Sequence, residues 1–193
     1  MIGKVLVFVR RRLDEYLRAQ FGENDDPVAD KVVFLDGDKM DPITFQEGAV
    51  SVVLINVEED RLLRNADPYT RIESGKPQRI QPDIRLSLHM LFVARFKQYD
   101  VAWEHLAKVI EYLQSNHVFE QDVTPDLPQG VEKMTVELMA QSFAEQNEVW
   151  NALRISHHPS VLYRIRMIVL QDVKPAGRDQ VTAPIVVKVH RVS

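Results

Sequence analysis

The chain contains no cysteine. Disulfide staples, thiolate nucleophiles and cysteine-held zinc are therefore excluded, and the composition fits a reducing cytoplasm. It also lacks a surplus of positive charge: 24 Lys and Arg stand against 28 Asp and Glu, a net charge of −4. A broad basic field, which phosphate-backbone binding requires, is missing, so nucleic acid is not an expected partner. Long apolar runs are missing as well. No segment approaches the roughly 20 apolar residues of a membrane span, so no membrane is expected either. The opening "MIGKVLVFVRRR" does not read as a secretory signal, because Arg10, Arg11 and Arg12 follow the apolar run instead of preceding it. Glycine is scarce, seven residues with no low-complexity tract, and the ten prolines mark a few irregular connections. Walker-type phosphate loops, Gly-x-Gly-x-x-Gly turns, Gly-x-Ser-x-Gly elbows and His-Glu-x-x-His helices do not occur.

What is present is a chain of 193 residues, 45% of them hydrophobic, enough for one domain with a real core. Ile2, Val5, Leu6, Val9, Leu13, Tyr16 and Leu17 recur at helical spacing and predict an amphipathic helix that stops near Gly22, with the three arginines on or beside its wet face. Val52 to Ile55 are apolar on both faces, as a central strand requires. In "IRLSLHMLFVARF" the residues Ile84, Leu86, Leu88, Met90, Phe92, Ala94 and Phe96 alternate with Arg85, Ser87, His89 and Arg95, a clear strand pattern. "DVAWEHLAKVIEYLQ" predicts a helix burying Ala102, Leu106, Val109, Ile110 and Leu113. Two more strands follow, with apolar faces Met134, Val136, Leu138 and Val161, Tyr163, Ile165, Met167, Val169. Between them Ser142 and Glu145 form a capping box at the start of a helix carrying Trp150 and Leu153 toward the core. Segments 65–83 and 117–130 read as long proline-bearing connections. The expected fold class is α+β: a single domain with a mixed, mainly antiparallel sheet and flanking helices.

The chemistry of the sequence centres on "SVVLINVEEDRLLRN". Glu58, Glu59 and Asp60 are a carboxylate group that acid–base or metal chemistry can use. Arg61 and Arg64 stand beside them, and a neighbouring guanidinium holds a carboxylate ionised, the wrong tuning for a general acid at neutral pH. The cluster reads better as an ion network, solvated or across a subunit boundary. "DGDKMD" begins like a calcium loop at Asp36 and Asp38 but places Met40 at the next ligand position, so it reads as a turn. His157 and His158 are adjacent, diverge on an extended chain, and read as a loop before Pro159. His89 reads as a sheet-surface residue. No catalytic residue, cofactor site or metal site is predicted.

"INVEEDRLLRNADPY" resembles the N-[IV]-E-E-x-R-x-[LM]-R-N signature of the tube-terminator, or cap, family of contractile injection systems of the antifeeding-prophage and virulence-cassette type. "HVFEQDVTPDLPQGVEKMTVELMAQSFAEQNEVWNAL" and "PSVLYRIRMIVLQ" are similar to later segments of that family, in the same order. Ala144 departs from it, standing where glutamate follows the phenylalanine. The resemblance covers about residues 1–172. It implies a phage tail-terminator-like fold and no enzyme activity. The implied assembly is a homo-hexameric ring on the inner tube protein, in contact with the sheath protein, which stops polymerisation. Such a protein is cytoplasmic during assembly and then part of the particle. On this resemblance the interface candidates are Glu58, Glu59, Arg61, Arg64, Asn65 and Tyr69.

The domain divides into 1–172 and an extension, 173–193. There Ile185, Val187 and Val189 alternate with polar residues, as in an edge strand of the home sheet or in an arm that adds to a neighbour's sheet. Two other readings remain: a neck or tail terminator of a true contractile phage, and a small carboxylate-dependent hydrolase.

Overall fold

The computed structural model describes residues 1–21, 30–37, 43–60, 70–73, 76–79 and 84–169. Its principal unit is a six-stranded sheet in the order β1-β2-β5-β8-β7-β6. The strands are β1 (Val32–Phe34), β2 (Ala49–Glu59), β5 (Ile84–Arg95), β6 (Val118–Glu120), β7 (Val131–Leu138) and β8 (Ser160–Val169), with helices α1 (Ile2–Phe21), α2 (Tyr99–Ser115) and α3 (Phe143–Leu153). β1 runs parallel to β2 and every other neighbour is antiparallel. The predicted α+β class with a mixed, mainly antiparallel sheet is observed.

Two predicted connections hold strands. Segment 117–130 contains β6, which pairs with β7. Within 65–83 a separate two-stranded sheet joins β3 (Thr70–Glu73) to β4 (Lys76–Arg79), antiparallel. Pro77 lies in β4 and pairs with Ile72; proline cannot donate to a ladder, so such a strand escapes a reading by propensity.

Alternation explains how the main sheet is buried. Leu88, Met90, Phe92 and Ala94 of β5 join Val50 and Val52 of β2, Met134 and Val136 of β7, and Tyr163, Ile165 and Met167 of β8 on one face. α1 covers that face with Val5, Phe8, Val9, Leu13 and Leu17, and α2 with Ala102, Leu106, Val109 and Leu113. The predicted helix stripes face this core: Val5, Val9, Leu13, Leu17, Ala102, Leu106, Val109 and Leu113 are buried, Ile2, Leu6, Tyr16 and Ile110 are half-buried, and Leu138, predicted apolar-facing, is exposed at the end of β7. The opposite face has a smaller cluster: Phe45, Val53, Leu91, Val93, Trp150 and Leu162, with Leu153 packed against it. α3 supplies Trp150. Its start is the predicted capping box: Glu145 N–H donates to Ser142 Oγ at 3.3 Å, and Ser142 N–H donates to a Glu145 carboxylate oxygen at 2.8 Å. The Ser142 amide, then its hydroxyl, hold the Glu145 carboxyl below its ordinary pKa.

Two buried polar residues fix the helices. Asp14, inside α1, accepts the backbone N–H groups of Lys31 at 2.7 Å and Val32 at 2.9 Å, tying the helix to the start of β1. His105 lies between the rings of Phe21 (4.0 Å) and Phe96 (4.1 Å), and its Nδ1–H donates to the Val101 carbonyl at 2.9 Å.

Candidate functional site

β2 carries the sequence's charge cluster on its last turn of pleat. The strand is buried from Ala49 to Val53 and exposed from Asn56 to Glu59. A register shift between Leu54 and Asn56 inserts Ile55 as a bulge against β5. Beyond it Asn56 faces His89, Val57 faces Leu88, Glu58 faces Ser87 and Glu59 faces Leu86. Successive side chains point to opposite faces, so Glu58 stands on the face of His89 and Ser87 while Glu59 stands on the face of Leu86 and Leu88. The three acids are not one carboxylate group. This corrects the expectation that treated them as a cluster.

The Glu58 face continues across the sheet in charged rows. His89 is registered with Arg164 and Arg164 with Glu137; Ser87 is registered with Arg166 and Arg166 with Thr135. Arg166 bonds Glu137 at 3.0 Å and lies 3.7 Å from Asp60. Asn56 Nδ2–H donates to Glu58 Oε1 at 2.8 Å, and His89 Nε2 is 4.0 Å from Glu58 Oε2. Of the three acids, Asp60 meets an arginine, Arg166 of β8, which the sequence reading did not name. Arg61, Arg64, Asn65 and Tyr69 lie outside the described residues, as do Asp38, Met40, Ile185, Val187 and Val189.

The far end of the same strand pair carries a feature that sequence reading missed. Arg95 is registered with Ala49, and its Nη1–H donates to the Phe45 carbonyl at 2.6 Å. With Arg154, His158, Thr44 and Ser156 it lines a cleft of about 430 Å³. No carboxylate lines it among the described residues. Arg154 caps α3 in the left-handed conformation, φ 55° and ψ 35°, where glycine is the usual residue. His157 and His158 do not diverge as predicted. Both rings contact Trp150, at 5.1 and 5.9 Å between centroids, and His158 also meets Phe45 at 5.4 Å. The tight turn after Arg154 overrides the alternation that an extended chain would impose. Among the described residues no three of His, Asp and Glu converge to hold a metal ion, and no helix is long and apolar enough to cross a membrane.

A third charged group ties α1 to its surroundings. Arg11 and Arg12 both bond Asp126, Arg10 bonds Asp30 at 3.2 Å, and Arg18 bonds Asp14 at 2.8 Å and also Asp30. The arginines that resembled a targeting signal in composition are anchors for the 121–130 connection and for the approach to β1.

Fold and surface together define an α+β domain whose sheet is closed by α1 and α2 on one face and, on the other, carries a smaller apolar cluster under α3 flanked by charged residues. Residues 4–183 match the model of the Pvc16 N-terminal domain, and the chain belongs to that family. Its fold is similar to that of the PVC sheath/tube terminator in the extended state, from a cryo-EM structure of an extracellular contractile injection system. The TM-score is 0.52 at 18% identity, covering 94% of this chain and 62% of that one. The cryo-EM structure of the anti-feeding prophage cap, a tube terminating cap, matches with a TM-score of 0.48 at 18% identity, over 75% of this chain and 49% of that one. The chain thus spans less than two thirds of the length of either structure. No curated protein matches the sequence.

Proposed function

We propose that this protein is a structural terminator of a phage-tail-like contractile injection system, not an enzyme. Copies of the chain form a hexameric ring on the end of the inner tube, contact the last sheath layer and stop polymerisation. Assembly takes place in the cytoplasm, and the ring then remains part of the particle. The observation that carries this reading is membership of the Pvc16 N-terminal domain family over residues 4–183, supported by a fold shared with a sheath/tube terminator. A closed ring needs a heterologous interface, one patch meeting a different patch on the next copy. Sign-mixed charge suits that task because it sets register at modest net energy.

Glu58 and Glu59 at the exposed end of β2, with Arg61, Arg64, Asn65 and Tyr69, are proposed to lie at a subunit, tube or sheath contact. Residues 1–172 form the terminator domain, and 173–193 form an extension whose Ile185, Val187 and Val189 add as a strand to a neighbour. The decisive experiment is negative-stain electron microscopy of the purified protein, alone and mixed with assembled tubes. Six-fold rings or a density closing one tube end are expected; monomers that ignore tubes would overturn the reading. Charge reversal at Arg61 and Arg64 should abolish capping, and deletion of residues 178–193 should abolish assembly while leaving a folded domain.

A further inference from the structure

We propose that the Arg95–Arg154–His158 cleft is a carboxylate-binding site, and that its ligand is Glu58, at the exposed end of β2, of a second copy of this chain. The inference rests on the ring reading and names the two patches that meet in it. The first argument is the lining. Two guanidiniums and an imidazole surround a cleft of about 430 Å³ that no described carboxylate enters, whereas the described arginines of α1 are each bonded to an aspartate. Arg154 makes no side-chain hydrogen bond or ion pair among the described residues and is exposed. A planar guanidinium recognises carboxylate by paired N–H donors.

The second argument is conformational. A non-glycine residue with φ 55° is held in a region that L-residues enter at a cost. Glycine at this cap would remove the strain, and with it the only cation that reaches the cleft from α3. The third argument is placement. Arg95 is registered with Ala49 at one end of the β2–β5 pair, and Glu58 with Ser87 near the other and on the same face, about 30 Å away at strand rise. Opposite charges at opposite ends of one strand pair suit a head-to-tail contact, since each copy then offers an acid to one neighbour and a cleft to the other.

The full-length chain tests this, mixed with assembled tubes and scored for capped ends by negative stain, with melting followed by circular dichroism. Once wild-type capping is established, Arg154→Glu should reduce capped ends at least about tenfold, because like charges then face each other, with melting unchanged. Glu58→Lys should do the same. Combining Arg154→Glu with Glu58→Lys in one chain should restore capping. Arg154→Gly should raise the melting temperature while still losing capping, which separates assembly from folding. Capping by Arg154→Glu at the wild-type frequency, or failure of the combined variant to recover, would overturn the assignment and leave the ring reading standing. Failure of the wild-type chain to cap any tube would overturn both.

Discussion

On β5, Leu88, Met90, Phe92 and Ala94 look toward α1 and α2, whereas Arg85, Ser87, His89 and Arg95 share the other face with Leu91 and Val93. The first face is apolar across four strands and closed by two helices. The second is apolar only at its centre, under Trp150, and becomes charged toward both ends of the strands. The same backbone therefore serves two purposes, and side-chain alternation keeps them apart. The first face holds most of the core. The other can vary its charges at little cost to stability, because exposed ion pairs contribute about 0–1 kcal/mol each. That freedom makes the second face, and its two ends in particular, suited to recognition.

The comparison breaks first at its most costly points. Leu106→Ala in α2 should lose about 2–5 kcal/mol, since the residue is fully buried and its neighbours belong to several elements. Trp150→Ala should lose a similar amount, about 3–5 kcal/mol, because the centre of the second face depends on that one ring against Phe45, His157 and His158. Urea unfolding measures both. If Trp150→Ala unfolded the chain no more than a surface change does, the second face would have no core of its own. Asp14→Ala should follow at about 1–3 kcal/mol, leaving the buried amides of Lys31 and Val32 without their acceptor.

How much of this was legible in the sequence depended on which period governed each residue. The stripe from Val5 to Leu17, the even positions of β5 from Leu88 to Ala94 and the Ser142–Glu145 box each obey one local rule and appear as predicted, whereas Ile84, at the start of the same strand, is exposed. Asp14 obeys none: a carboxylate inside a helical pattern reads as solvated, and only the tertiary approach of Lys31 and Val32 reveals its role. His105 is hidden for the same reason. Glu58 and Glu59 were read as one cluster because polar composition after Ile55 masked the continuation of the strand. Once β2 is seen to run to Glu59, alternation alone separates them. The Arg95–Arg154–His158 cleft joins residues 59 positions apart in sequence (95 and 154), brought together by strand pairing and a helix cap, and no local pattern announces it.

A smaller effect probes the helix-covered face through a group that does not fit it. Tyr163 packs edge-on to Phe92 at 5.8 Å, and its hydroxyl is buried without a hydrogen-bond partner among the described residues. Burial pushes its pKa up to about 12. A pKa raised above the ordinary value near 10 means that the folded state holds the proton more tightly. The resulting stability is fully present below about pH 10 and is lost as pH rises through about 12. Tyr163→Phe should stabilise the protein by about 1 kcal/mol at neutral pH, by removing an unsatisfied polar atom. It should also flatten the decline in melting temperature between pH 10 and 12. A variant less stable than wild type at neutral pH would show that the hydroxyl is satisfied after all.

The smallest expected effect is the most informative about the second face. Arg166 bonds Glu137 at 3.0 Å with both side chains more than a third exposed, and it faces Asp60 at 3.7 Å. Arg166→Ala should therefore change stability by less than about 1 kcal/mol, and that small change should shrink further at high salt. Assembly need not follow stability. If the charged rows were only solvated surface, capping by this variant would match wild type in every buffer. If they hold Asp60, and through it the end of β2, in the position that presents Glu58 to a neighbour, capping falls although the isolated domain melts as before. A change that is nearly silent in the monomer and visible only in the ring is the signature expected of a face whose charges serve contact with another copy.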